Sequence, residues 1–284
     1  MLIVMIMGGI DLCIGSTAGM AACLATKTLI DSGMTTQGLI LGLVFALGFC
    51  ILFGLAQGAS IAYFGLPPFV VTYATMYAVY GLAIVYTNNS FQQPGTTGFF
   101  YQISNYQIFG IPMIIYLFVF FCIITGVLLG CTSFGRKAYA VGGNRKAAQL
   151  VGINTKLYST LSYVLCSFFV GIGGIMLASL NTNAYSETAR GYHGKVLTAL
   201  VVGGIAIEGG EGNIGGALFG AIFIGILNNA LILLDVPADY QNFVSGVIII
   251  AAIALNSYSK RRSSSALIRG SLPDKMKFDP ATKV

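Results

Sequence analysis

Between Lys27 and Arg136 the chain carries no basic residue, yet three apolar runs pass through that interval, at residues 38–63, 69–86 and 111–130. A water-soluble fold needs charge to cover its surface, and soluble domains devote roughly a quarter of their residues to it. Here 8% of 284 residues are charged and 56% are hydrophobic. Such a chain cannot cover its own core in water. Each run is close to the about 20 apolar residues that cross roughly 30 Å of hydrocarbon. The runs are continuous rather than alternating, which excludes the wall of a β-barrel. The sequence specifies an all-α polytopic membrane protein.

Further apolar runs occupy residues 12–30, 157–180, 196–207, 214–234 and 243–255. Residues 1–10 are too short to span and read as a remnant ahead of a break at Gly8, Gly9, Ile10 and Asp11. The Pro67-Pro68 pair suits a helix start. Residues 87–110 read as an uncharged polar and aromatic loop. Basic residues cluster at 136–156 and again from Lys260 onward. By the positive-inside rule both clusters face the cytoplasm. An even number of crossings must separate them, so the short run 196–207, about 18 Å long as a helix, is expected to cross too. That leaves residues 181–195 outside and makes "EGGEGN" a cytoplasmic turn. The count comes to about eight crossings. Residues 1–256 form the transmembrane domain, with a cytoplasmic loop at 135–156, and residues 257–284 a polar basic cytoplasmic tail. The apolar start lacks a signal-peptide pattern, and a preceding segment is expected.

Several smaller patterns bear on packing and passage. Gly38, Gly42, Ala46, Cys50, Gly54 and Gly58 are small residues four apart. They form one helical ridge that lets another helix approach closely. "VMIMGGIDLCIGSTAG" and "ALVVGGIAIEGGEGNIGGALFG" share an apolar run, Gly-Gly-Ile and a glycine-rich break. Internal repeats with broken helices are common in transporters, although a chain with 37 glycines can match itself by coincidence. The two breaks supply pathway or helix-break candidates: Gly8, Gly9, Asp11 and Ser16 in the first, Gly203, Gly204, Gly209 and Gly210 in the second. Asp11 either caps the following helix or is a functional intramembrane acid. Asn228 and Asn229, inside an apolar run, either bond between helices or line a path.

Other function classes find little support. The net charge of +6 is explained by the two loop and tail clusters and does not indicate nucleic-acid binding. The six cysteines lie in or beside apolar runs without CxxC spacing, as packing residues do. His193 has no nucleophile placed with it. "IGSTAG" around Ser16 is not a GxSxG elbow, and "GGNRKAA" is not a phosphate-binding loop. No metal site, cofactor site or catalytic constellation stands out, and the chain does not read as an enzyme.

The loop "FGRKAYAVGGNRKAAQLVGINTKLY" is the polar exception in the middle of the chain. A turn permitted by Gly142 and Gly143 leads into a short amphipathic helix with Ala147, Leu150 and Val151 on its apolar face, suited to a partner. Here the chain closely resembles the permease subunits of ribose-type ABC importers. The resemblance runs through "GGIDLCIGS", "PPFVVTYATMYAVYGLAIVYTN", "GRKAYAVGGNRKAAQLVGIN", "GIGGIMLASL", "GGIAIEGGEGNIGGALFGAIFIGILNNALILL" and "YQNFVSGVIIIAAI". It implies ATP-driven import, across a bacterial cytoplasmic membrane, of a monosaccharide or related polyol delivered by an extracytoplasmic binding protein. It implies a second permease copy or paralogue, and ATP and Mg²⁺ bound by a partner ATPase rather than by this chain. It also implies that the loop docks on that ATPase, through Gly135, Arg136, Gly142, Gly143, Asn144, Ala147, Ala148, Leu150, Gly152 and Ile153.

Three departures stand against the family pattern. The family usually has more spans ahead of "GGIDL". An acidic "GYELDAIA" is "GYHGKVLTA" here, and "GGTSLxGG" is "GGIAIEGG". The alternatives are a self-sufficient secondary transporter or channel, which needs coupling charges inside its spans, and an inactive truncated permease paralogue.

Overall fold

The computed structural model describes residues 1–96 and 98–237, together with 240, 243, 244, 246–248, 250, 251 and 254. Residues 1–227 form one compact unit, and a second begins at Asn228. The elements in order are α1 (Leu2–Ile6), α2 (Ile14–Asp31), α3 (Thr36–Phe64), α4 (Pro68–Thr87), α5 (Phe99–Asn105), β1 (Gln107–Ile108), β2 (Ile111–Pro112), α6 (Met113–Gly130), α7 (Ser133–Gly143), α8 (Arg145–Leu150), α9 (Thr155–Asn181), α10 (Tyr192–Val202) and α11 (Ile214–Leu233). Five of these, α3, α4, α6, α9 and α11, are long and apolar enough to cross a membrane. The run at 243–255 lies for the most part outside the described residues, and the tail at 257–284 lies wholly outside them.

The core is built around α2, which packs against α3, α4, α9 and α10. Apolar contact alone drives little association between helices in lipid, so close approach of backbones matters more. The ridge on α3 does this. A Cβ at Gly42 would lie 2.6 Å from the Ala25 carbonyl of α2, one at Gly54 would lie 2.8 Å from Ser167 Oγ of α9, and one at Gly58 would lie 2.8 Å from the Thr160 carbonyl. The ridge is buried along its length and serves packing rather than passage. By contrast, α6 is almost wholly unburied, as a lipid-facing helix is.

Two loops differ from expectation. Residues 87–110 hold α5 and the first strand of a β1–β2 hairpin. Buried Ser104 ties α5 to α9: its N–H donates to Ser179 Oγ at 3.1 Å and its hydroxyl to the Met176 carbonyl at 2.8 Å. The short run at 196–207 is not one helix. Only residues 196–202 of it are helical, as the end of α10, which has 11 residues and is about 16 Å long, too short to cross alone. The segment before it supplies the remaining depth. A Cβ at Gly174 of α9 would overlap the Ala18 carbonyl of α2, while Cβ atoms at Gly19 and Gly15 would approach the carbonyls of Ser186 and Ala189 at 3.0 and 2.6 Å. The chain after Asn181 therefore descends alongside α2 by about 15 Å before α10 begins. An irregular descent and a short helix thus occupy the stretch where parity led to the expectation of a crossing.

Candidate functional site

The two glycine breaks end their helices with the same cap. After α1, Gly8 N–H donates to the Met5 carbonyl and Gly9 N–H to the Val4 carbonyl, each at 2.9 Å. After α10, Gly204 N–H donates to Val201 and Ile205 N–H to Leu200, each at 3.0 Å. This is the Schellman pattern, whose left-handed residue favours glycine. Gly8 and Gly204 hold that position, with φ of 76° and 79°. The same cap also closes α2, α4 and α8, so it does not by itself establish a repeat, and it is one residue out of register with the Gly-Gly-Ile match, which pairs Gly8 with Gly203. Gly203 instead lies where a Cβ would overlap the Gly216 carbonyl of α11.

Beyond each break sits a side-chain acceptor. Asp11 is buried, and its Oδ1 accepts from Cys13 N–H at 2.9 Å and from Gln57 Nε2 at 3.2 Å; Cys166 Sγ donates to Oδ2 at 3.5 Å. Asp11 therefore caps the turn just ahead of α2 and joins it to α3 and α9. At the second break, Asn213 Oδ1 accepts from Gly216 N–H at 2.7 Å and opens α11. Asn228 is half-buried and Asn229 exposed near the end of α11.

The breaks meet the basic loop at one point. Gly210 N–H donates to the Ile6 carbonyl at 2.7 Å. A Cβ at Gly142 would overlap that same carbonyl, one at Gly209 would lie 2.6 Å from Gly8 N, and one at Gly210 would lie 2.7 Å from Gly143 Cα. Ile6 and Gly8, Gly142 and Gly143, and Gly209 and Gly210, from distant parts of the chain, thus form a single backbone-to-backbone junction. Tyr139 of α7 reinforces it by donating its hydroxyl to the Gly212 carbonyl at 2.7 Å. Burial pushes the Tyr139 phenol up.

Gly142 and Gly143 do not make the expected turn. Both are helical at the end of α7, and the chain bends at Asn144. Asn144 Oδ1 caps α8 by accepting from Ala147 N–H at 3.0 Å. The helix closes with Ile153 N–H on the Ala148 carbonyl at 3.0 Å and Gly152 N–H on Gln149 at 3.0 Å. Leu150 and Val151 are 88% and 75% exposed, and Ala147 is exposed too. Ala148 is buried against this chain, which corrects its assignment to the outward face. Gly135 is also inward, where a Cβ would overlap the Leu129 carbonyl, while Arg136 is exposed.

Ser16 lies elsewhere, in the first turn of α2, on a cavity of about 370 Å³ whose lining includes Tyr73, Tyr77 and Tyr80 of α4 and Arg190 and His193 near the start of α10. Glu187 Oε1 accepts from Tyr80 Oη at 2.8 Å and from Arg190 Nη1 at 2.5 Å. Sequence reading passed over the tyrosines, Glu187 and Arg190. The spacing of Tyr73, Tyr77 and Tyr80 along one helical edge was the available signal.

A family described as "Branched-chain amino acid transport system / permease component" matches residues 1–253. The chain belongs to this permease family. The ribose import permease protein of Bacillus subtilis is 36% identical over 90% of this chain and 79% of its own length. The ribose import permease protein of Escherichia coli K12 is 31% identical, over 90% and 80%. The L-arabinose transport system permease protein of the same strain is 33% identical, over 92% and 78%. No solved structure is a significant match. The permease is thus a multi-pass membrane protein and not itself an enzyme. Its two half-helices and its basic loop are joined, rather than being separate features.

Proposed function

We propose that this permease is the membrane-spanning subunit of an ATP-driven importer in a bacterial cytoplasmic membrane, carrying a neutral pentose or a similar monosaccharide or polyol. The family match and the named ribose and arabinose relatives support the class. The observation that carries the coupling mechanism is the junction of Ile6, Gly142 and Gly210. The end bearing α7 and α8 faces the cytoplasm, where Leu150 and Val151 meet a partner ATPase that holds ATP and Mg²⁺. A second permease copy or paralogue completes the pathway, and an extracytoplasmic binding protein delivers the sugar at the other end. Movement of α8 by the ATPase passes through α7 to both helix breaks, because nothing compressible lies between the three backbones.

A self-sufficient transporter needs an acid free to bind and release its coupling ion. Asp11 is instead engaged by donors from Cys13, Gln57 and Cys166. The test is uptake of radiolabelled pentose by liposomes holding the permease and the ATPase, with loaded binding protein outside and ATP inside. Uptake that needs all of these components is expected. Equal uptake without ATP would overturn the reading.

A further inference from the structure

The cavity at Ser16 carries information about the charge of what enters it. Its volume of about 370 Å³ equals that of about a dozen waters at roughly 30 Å³ each, comparable with the about ten non-hydrogen atoms of a pentose. Tyr73 and Tyr77 meet edge to face with ring centroids 5.2 Å apart, and their hydroxyls are 3.2 Å apart. Such a surface offers an apolar face for sugar C–H groups and paired hydroxyls for its O–H groups.

The one cationic residue of the wall, Arg190, is paired with Glu187, a partner it shares with Tyr80. One Glu187 oxygen accepts from both Tyr80 and Arg190. The guanidinium keeps further N–H donors, but its charge is already matched. An entering carboxylate or phosphate would have to compete with Glu187 for Arg190 and sit beside a like charge. An uncharged sugar meets neither cost. We propose that this cavity is the sugar's binding station within the permease, and that the Glu187–Arg190 pair makes it select uncharged sugars over sugar acids. The proposal rests on the importer reading above and adds a site and a selection rule to it.

The chain has no tryptophan, so Tyr77→Trp places a lone fluorophore in the cavity wall while keeping an aromatic face. The purified full chain in nanodiscs is titrated with a neutral pentose and with the aldonate of that pentose. The pentose is expected to change the emission at concentrations where the aldonate does not. Adding Glu187→Gln should move the preference toward the aldonate by about two- to fivefold, the scale of a solvent-exposed ion pair. Adding Arg190→Gln on top should remove that gain, which separates electrostatics from misfolding. Emission insensitive to both sugars, or a preference unmoved by Glu187→Gln, overturns the proposal. Wild-type liposome uptake separates the two readings. Uptake without a fluorescence response sinks the station alone, and a response without ATP-driven uptake sinks the importer reading alone.

Discussion

The backbone N–H of Gly210 donates to the carbonyl of Ile6 at 2.7 Å, and the Cα of Gly142 lies against the same oxygen. The last carbonyls of any helix have no partner within it; Gly8 and Gly9 satisfy those of Met5 and Val4, and the Ile6 carbonyl is satisfied by a segment far away in the chain.

That contact makes neighbouring glycines unequal. Gly142→Ala pushes a methyl into the Ile6 carbonyl and toward Gly210 N–H, an overpacking that costs about 1–3 kcal/mol. A Cβ at Gly143 meets nothing within 4 Å, and alanine there gains about 0.5–1 kcal/mol of helix preference. Thermal unfolding of the purified permease should show a lower midpoint for Gly142→Ala and an unchanged or higher one for Gly143→Ala. Equal shifts would mean the junction is not close-packed.

The faces of α8 can be told apart in the same way. Ala148→Glu buries a charge, at several kcal/mol if unpaired, and should lower the yield of folded permease. Leu150→Glu stands in the open, 88% exposed, and should leave yield and melting unchanged. It should nevertheless lose copurification with the ATPase. Full retention of the ATPase by Leu150→Glu would move the docking surface elsewhere on the loop.

Asp11 distinguishes a structural carboxylate from a titrating one. Asn ranks with Asp as a capping residue, so Asp11→Asn should keep the Cys13 contact and most of the uptake. Asp11→Ala leaves buried donors unpaired and should cost about 1–3 kcal/mol in unfolding. Loss of uptake in Asp11→Asn with an unchanged melting point would instead assign Asp11 to ion coupling.

Of the six cysteines, all among the described residues, only Cys131 is exposed, just after α6 and ahead of α7. A membrane-impermeant maleimide should leave it unlabelled in intact cells and label it once the membrane is opened. Labelling from outside would invert the orientation.

The long helices were legible because apolar length is a local property. Residues 38–63, 69–86, 111–130 and 157–180 match α3, α4, α6 and α9 to within two residues at each end. The α3 ridge was legible for the same reason, since its spacing is its mechanism. What failed was non-local. Gly142 and Gly143 look like a turn until Ile6 and Gly210 are seen packed against them, and helical glycine then has a reason of its own. Ala148 and Ala147 look alike in sequence, but packing buries only the first. The one-residue offset between the breaks arises because the cap is set by hydrogen bonds, not by the Gly-Gly pair. Glu187 and Arg190 were overlooked because residues 181–195 read as an outside loop, whereas they descend beside α2.

The junction also sets a timetable for biogenesis. Ile6 and Gly210 are about 200 residues apart in the chain. At about 5–20 residues per second of synthesis, α1 waits about 10–40 s for the donor that completes it. For the last third of that interval, about 70 residues of synthesis, α7 has been made but lacks the glycine turn against which it packs. A chain released early would therefore lack both bonds that close the junction, Gly210 to Ile6 and Tyr139 to Gly212.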